Sequence, residues 1–284
     1  MSAFRVVLIS LYAVAFGFII YFLLQGASFY ATPVLERAHH DGYWVWKSGG
    51  SMGRRLGIIG SSMMVLMLLY SVRKRMSVLR KLGPLSRWLD IHIFLGVVGP
   101  LLVILHSAFK VQGLVALSFW SMIAVAGSGV LGRYLYLQIP RNRAGEALNL
   151  AELERLDQQL TERLRADFRL DARTLERLDA LTSGPPGRQG LLTGLVRILV
   201  DDVRLRGRLK DFARGCRSVP GPLYRDFERV VRQKAQAHRR LLIWERVQEL
   251  FHYWHVVHKP FAVVMYLFMV VHIVVAVMTG YGWS

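Results

Sequence analysis

The stretch LDIHIFLGVVGPLLVILHS, residues 89–107, decides the fold class of this 284-residue chain. It is almost uncharged and has about the 20 residues that a helix needs to cross a bilayer. It also carries His92 and His106, which are 14 residues apart. This spacing is almost four helical turns, so both imidazoles point from one face, about 21 Å apart along the axis. Ionisable residues inside a membrane are costly and usually functional, so the stretch predicts a functional spanning helix.

Similar apolar stretches recur along the chain, in which 53% of the residues are hydrophobic. Each has about the length that a spanning helix needs, and the second is the weakest. They cover residues 6–24, 56–72, 88–109, 114–137 and 261–278. The predicted fold class is therefore all-α: a multi-pass transmembrane helical bundle of about five spans. Four spans belong to residues 1–139, and the last belongs to residues 251–284.

Charge predicts how the spans are oriented. The loop at residues 73–87 contains six Lys/Arg and no acidic residue. The positive-inside rule then places the N-terminus in the cytoplasm and the C-terminus on the outer face of a plasma (inner) membrane. The net charge of +18 comes without any nucleic-acid recognition motif. We therefore expect anionic membrane lipid as a partner and no nucleic acid.

Residues 140–250 form a polar insertion with 23 Lys/Arg and 16 Asp/Glu. Asn149 followed by Glu152 has the spacing of a capping box, and leucines then repeat at helical intervals. Breakers at residues 183–190 and 218–222 divide the insertion into pieces. It is predicted to be a helical cytoplasmic subdomain that packs on the membrane part, docks a partner or acts as a solvated spacer.

The stretch FHYWHVVHKPF, residues 251–261, offers three candidate partners for a second histidine pair. The last span contains His272, and His258 lies 14 residues before it, the spacing of the first pair. Fourteen residues return to within about 40° of the same helix face, whereas the 17 residues from His255 end about 100° away. This selects His258 over His255 and His252. Pro260 is expected in the first turn of the last span, where a missing N–H costs little.

The four selected histidines predict two sites at two depths. Spans three and five run in the same direction, so His92 pairs with His258 at the inner level and His106 with His272 at the outer level. Two opposed imidazoles suit a b-type haem with both axial positions filled, which implies electron transfer. Zinc is a poorer match because its tetrahedron would be half complete. The alternative is a non-redox transporter or scaffold component whose histidines relay protons.

Glycines and basic residues near the histidines are further cofactor-binding candidates. Gly96, Gly99 and Gly127 leave room for a porphyrin against the backbone, or else for a neighbouring helix. Gly127 opens the sequence GSGVLG, which lies in an apolar span without the strand of a dinucleotide-binding unit. Arg133 and Arg87 are candidates for binding haem propionates. Cys216 is the only cysteine, which excludes a cysteine-ligated cluster and covalent haem attachment through C-x-x-C-H.

The membrane part resembles a known superfamily. The two histidine pairs are similar to the di-haem bundle of cytochrome b from quinol-oxidising complexes. Their place on spans three and five is still more similar to the ferric reductase and NADPH oxidase transmembrane domain. The stretches at residues 87–107, 128–141 and 252–261 resemble bacterial membrane cytochrome b proteins that accompany separate redox subunits. In those families four such histidines ligate two haems, which implies the same role for His92, His106, His258 and His272.

The resemblance implies a di-haem electron-carrying subunit that needs partners. Inside, an iron–sulfur protein or flavoprotein is expected, and outside, a cytochrome or a quinone. The Pro-Glu-Trp motif of the cytochrome b quinol site is absent from the sequence, so quinone stands only as a further candidate ligand. A mono-haem membrane anchor of a redox complex is the remaining alternative.

Overall fold

The computed structural model describes residues 3–139, 148–182, 191–216 and 221–279. Within these ranges the regular structure is helical, which confirms the predicted all-α class. Short 3-10 turns occupy Arg37–His39 and Ser77–Lys81. The α-helices are α1 Ala3–Gln25, α2 Ala27–Ala31, α3 Tyr43–Trp46, α4 Ser51–Leu66, α5 Leu68–Arg75, α6 Leu85–His106, α7 Gly113–Gln138, α8 Leu150–Phe168, α9 Ala172–Thr182, α10 Leu191–Gly215, α11 Gly221–Leu242 and α12 Trp244–Met278.

Five helical segments in the described part of the chain are long and apolar enough to cross a membrane. They correspond to the five predicted spans. The second differs in detail, because a turn at Met67 divides it into α4 and α5. This segment has the lowest mean hydropathy of the five, in agreement with its weak signal in the sequence.

The chain divides into two compact units. The first, here called the membrane unit, comprises Met1–Leu131 and His255–Ser284. The second, here called the helical unit, comprises Gly132–Trp254. Helices α7 and α12 contribute to both.

In the membrane unit, α4 and α5 pack antiparallel along α6. Small residues make the closest approach, because a β-carbon on Gly60 would lie 3.0 Å from the carbonyl oxygen of Gly99. Next to this crossing, Leu56 packs with Val98 and Leu102 in one apolar cluster. Much of the remaining apolar surface faces outward, and α1 buries only Ile19. Such a distribution suits helices surrounded by lipid.

The connection between α1 and α4 is tied to the C-terminal end of α6 by a buried arginine. Arg37 donates hydrogen bonds of 2.8 Å to the carbonyl oxygens of Thr32 and Tyr30. It also donates to the carbonyl oxygen of Ala108, which follows α6. A cation at the C-terminal end of a helix satisfies carbonyls that have no partner within the helix.

The helical unit is built around leucines of α8 and apolar residues of α11. The predicted capping box is confirmed: the Asn149 side chain accepts from the Glu152 N–H and the Glu152 side chain accepts from the Asn149 N–H, both at 2.8 Å. Leu153 and Leu164 are fully buried against Phe227 of α11. The predicted breaker at residues 183–190 lies outside the described residues. Of the predicted turn at residues 218–222, residues 218–220 also lie outside them.

One predicted helix boundary is wrong. Pro260 was expected in the first turn of the last span, but α12 begins at Trp244 and contains Pro260 in its interior. The segment from Glu245 to Lys259 has no glycine or proline, so nothing in it ends the helix. The proline removes one backbone donor there, and the helix continues through it.

Candidate functional site

Helices α6 and α12 run in the same direction within the membrane unit and bring the four predicted histidines into two pairs. The rings of His106 and His272 lie with their centroids 6.3 Å apart and their planes at 61°. Fourteen residues earlier on each helix, almost four turns away, His92 and His258 lie close enough for their charges to interact. These two positions are the His106 level and the His92 level. The pairing matches the 14-residue spacing on both helices.

At the His106 level the histidine is oriented by a backbone carbonyl. Nδ1 of His106 lies 2.8 Å from the carbonyl oxygen of Gly53 in α4. A carbonyl can only accept, so Nδ1 must carry the proton in this hydrogen bond. In a neutral imidazole the lone pair is then on Nε2, the tautomer that binds a metal through Nε2.

At the His92 level the same arrangement is found on α6. Nδ1 of His92 lies 3.2 Å from the carbonyl oxygen of Met67, at the turn between α4 and α5. The ring of Tyr70, one turn further along α5, has its centroid 5.2 Å from that of His92. His92 therefore also donates through Nδ1, with an aromatic ring beside it.

His258 on α12 is oriented by a hydroxyl group. Ser128 Oγ lies 2.7 Å from Nδ1 of His258 and 3.0 Å from the carbonyl oxygen of Val125, to which it donates. A hydroxyl has a single proton, so Ser128 accepts from His258 when it donates to Val125 and donates to His258 otherwise. Two of the four histidines, His92 and His106, thus share one tautomer, and a third, His258, is held through Nδ1 by Ser128. The three partners lie in α4, in the turn at Met67 and in α7.

The distance between the two rings at the His106 level can be compared with the distance that a shared metal ion would need. A metal–imidazole bond is about 2 Å long, and a ring nitrogen lies about 1 Å from the ring centre, so an ion shared by two opposed rings separates their centroids by roughly 6 Å. The observed 6.3 Å agrees with this. His106 has a hydrogen-bonded Nδ1, which a histidine bound to a haem through Nε2 would also have. Within the described residues, no group of three or more His, Cys, Asp or Glu forms a candidate metal site.

The three histidines of the 251–261 stretch differ in their surroundings. His258 is half-buried and bonded to Ser128. His255 is also half-buried and lies within electrostatic range of His258. His252 is exposed, with its ring beside that of its neighbour Tyr253.

The candidate glycines lie in different surroundings. Gly99 is buried against α4, with Gly60 and Met64 in contact distance of an added β-carbon, so the structure shows helix packing at this position. Gly96 faces Met67, whose sulfur would lie 3.4 Å from such a β-carbon. Gly127 is exposed with open space in front of it. Gly132, in the helical unit, makes room for the indole of Trp254. A porphyrin contact of Gly96, Gly99 or Gly127 stays a prediction.

The candidate propionate-binding arginines have aromatic neighbours. Arg87, in the first turn of α6 and exposed, lies 5.5 Å from the ring centroid of Phe4. Arg133 of the helical unit lies 5.6 Å from the ring centroid of Tyr136. Both contacts are of the cation–π type. Their role toward a cofactor stays a prediction.

Several orienting residues could not be recognised in the sequence. The Gly53 and Met67 acceptors are backbone atoms, so no side-chain type marks them. Ser128 belongs to the sequence GSGVLG, where it looks like one more small residue of a spanning helix. Its distance from His258 along the chain is 130 residues, so only the fold connects them.

No family model, curated protein or solved structure matches this chain.

Proposed function

We propose that the chain is a di-haem b-type cytochrome subunit that carries electrons across a membrane. The observation that carries this proposal is the pairing of four histidines from α6 and α12 at two levels, with Nδ1 of His92 and of His106 donating to backbone carbonyls and Nδ1 of His258 bonded to Ser128. Buried imidazoles of a proton relay have no need for one shared tautomer. Axial ligands do, because their Nε2 lone pairs must point at the iron.

His92 and His258 would hold one haem, and His106 and His272 the other. When bound, a haem with two axial imidazoles supplies reversible one-electron transfer. The protein's own contribution would be to supply the histidine ligands, to orient them through α4, the turn at Met67 and α7, and to exclude water with apolar helices. Because the two levels are about 21 Å apart along the helix axes, one lies near each face of a membrane.

The proposed orientation follows the positive-inside rule: the His92 level inside and the His106 level outside. On this orientation the helical unit is cytoplasmic. Its candidate partner is an iron–sulfur protein or a flavoprotein, and a quinone or a cytochrome is the candidate at the outer face. Net chemistry then depends on these partners, since the chain itself only connects them.

Haem content tests the proposal. The full chain, purified from membranes in detergent, should show the alpha band of b-type haem in a reduced-minus-oxidised spectrum, with two haems per chain. Absence of the band in protein produced with ample haem would contradict the proposal and favour the proton-relay alternative. One haem per chain would favour the mono-haem anchor.

A further inference from the structure

The second span runs beside the ligand helix α6 and contacts it at both histidines. Gly53 at its start meets His106, and Met67 at the turn between α4 and α5 meets His92. The two acceptor carbonyls are 14 residues apart, which is also the spacing of the two histidines. Because the second span runs antiparallel to α6 with the same rise per residue, one of its carbonyls faces a histidine of α6 at each level.

The carbonyl at Met67 is available because the second span is interrupted there. The Tyr70 N–H donates to it at 3.2 Å, three residues back instead of four. A carbonyl oxygen has two lone pairs, so His92 can donate to it as well. The nearby carbonyl of Met64 accepts a hydrogen bond of 2.6 Å from the Tyr266 hydroxyl of α12. The last turn of α4 and the turn at Met67 thus interact with both helices that carry the histidines.

At the other level, a glycine lets His106 approach the backbone of α4. A β-carbon on Gly57 would lie 2.6 Å from Nδ1, 2.8 Å from Cε1 and 2.9 Å from Cγ of His106. Real β-carbons essentially never come this close to other atoms, so the ring occupies the space that any other residue type would fill. In this position the ring reaches the Gly53 carbonyl, one helical turn before Gly57.

We propose that the second span sets the tautomer and ring orientation of both α6 ligands, and that Gly57 is the positioning residue for His106. This inference rests on the proposed function, because ring orientation matters only when Nε2 of His106 binds an iron. An alanine at this position displaces the imidazole from the Gly53 carbonyl. Without that hydrogen bond, His106 would no longer be held in the orientation in which it would bind an iron.

The test compares Gly57→Ala with two matched glycine variants in the full chain. Gly17→Ala adds a β-carbon on α1 where nothing lies within 4 Å. Gly60→Ala adds one to the same face of α4, 2.9 Å from a Val103 methyl group and away from both histidines. Gly60→Ala therefore reports the effect of disturbing the α4–α6 contact alone.

The readouts are the haem-to-protein ratio, the redox titration of each haem, and the low-spin electron paramagnetic resonance signals. Gly57→Ala is expected to shift the potential and the g values of one haem and to weaken its binding about 10- to 100-fold, the usual effect of losing an outer-shell partner. The other haem should keep its signal. Gly17→Ala should leave both haems unchanged, and Gly60→Ala should retain both g values.

The outcomes separate this inference from the proposed function. Two unchanged haems in Gly57→Ala, or the same g-value shift in Gly60→Ala, would overturn the inference and leave the proposed function standing. An unmodified chain without haem would overturn the proposed function first. If Gly57→Ala fails to fold, pulsed electron paramagnetic resonance on the unmodified protein with ¹⁵N-labelled histidine shows which ring nitrogen coordinates the iron. The inference requires a protonated, non-coordinating Nδ1, and coordination through Nδ1 would overturn it.

Discussion

The two units use buried polar side chains in opposite ways. In the membrane unit, His92 and His106 donate through Nδ1 to neutral backbone carbonyls, so the lone pair of each ring is kept on Nε2. In the helical unit, Lys234 is 1% exposed and donates to Asp157 at 2.8 and 2.9 Å, with Asp179 at 2.9 Å. The histidines retain a ligand atom, whereas the lysine and its carboxylates satisfy one another.

This difference separates a candidate site from a structural core. A buried ion pair adds little stability over apolar packing, but it does determine which helices meet, because a charge left alone in the interior is costly. Lys234 of α11 joins Asp157 of α8 and Asp179 of α9 in this way. The membrane unit can therefore lose a histidine and keep its fold, while the helical unit should not tolerate the loss of its lysine.

The largest expected effect is complete loss of one haem. His258→Ala should reduce the haem-to-protein ratio from two to one, because one axial position at the His92 level loses its ligand. His255→Ala and His252→Ala are the matched controls from the same stretch, and both should retain two haems. Loss of haem in His255→Ala together with retention in His258→Ala would show that the chosen helix register is wrong.

The next effect concerns the helical unit alone. Lys234→Met leaves Asp157 and Asp179 without their lysine, with His238 still 3.7 and 3.8 Å away. Because the two carboxylates are 15% and 34% exposed, the free energy of unfolding of this unit should fall by about 3 kcal/mol, the lower end of the range for a buried pair. Hydrogen exchange of the full chain, followed by mass spectrometry of peptides from α8, α9 and α11, measures it. Lys210→Met, at an exposed position of α10, is the control. Equal protection in both variants would mean that the cluster does not hold these helices together.

A smaller effect is expected when a ligand is kept but loses its orienting partner. Ser128→Ala removes the hydrogen-bond partner of Nδ1 of His258 and should weaken haem binding at the His92 level about 10- to 100-fold. Ser118→Ala is the control, since Ser118 lies on the same helix and donates to the carbonyl oxygen of Met265. Competition with a haem-binding apoprotein measures the affinity. If the two serine variants bind haem equally well, Ser128 does not orient His258.

The smallest effect is a pH dependence confined to the helical unit. Burial by itself raises the pKa of Asp157, but hydrogen bonds and charges from His238 and Lys234 outweigh it and bring the pKa below its usual value. A carboxyl group whose pKa is lower in the folded chain than in the unfolded chain stabilises the fold at pH values above its unfolded pKa of about 3.9. This stabilisation is lost as the pH falls through the lower pKa of the folded chain.

Urea titrations followed by circular dichroism between about pH 3 and pH 6 measure this dependence. The unmodified chain should lose stability below about pH 4. Asp157→Asn should show a shallower fall, because the group that is protonated has been removed. The same steep fall in Asp157→Asn would assign the acid sensitivity to other carboxylates.

The spans and the capping box could be predicted because their signals are local. A run of about 20 apolar residues predicts a spanning helix wherever it packs, and Asn149 reaches Glu152 within one turn. Pro260 shows where such local reasoning fails. A proline is compatible with the first turn of a helix, but this does not show where the helix begins, and α12 starts 16 residues earlier, at Trp244.

The four histidines of the candidate site could be predicted, because helical periodicity relates residues 14 positions apart. Their hydrogen-bond partners could not. Ser128 contacts a histidine on a helix that is distant in sequence, and Gly57 looks like any small residue of a span until the His106 ring is found against it. The same holds for Lys234, one of 23 basic residues in a polar segment.

The sequence by itself determined the helical spans and the histidine spacing on α6 and α12, because hydropathy and helical periodicity act along a single helix. The tertiary structure alone decided what Nδ1 of each of three rings bonds to: the carbonyl of Gly53, the carbonyl of Met67 or the hydroxyl of Ser128. Each of these partners lies outside the helix that carries the histidine. Contacts between helices depend on close packing across the bundle, which no local pattern encodes.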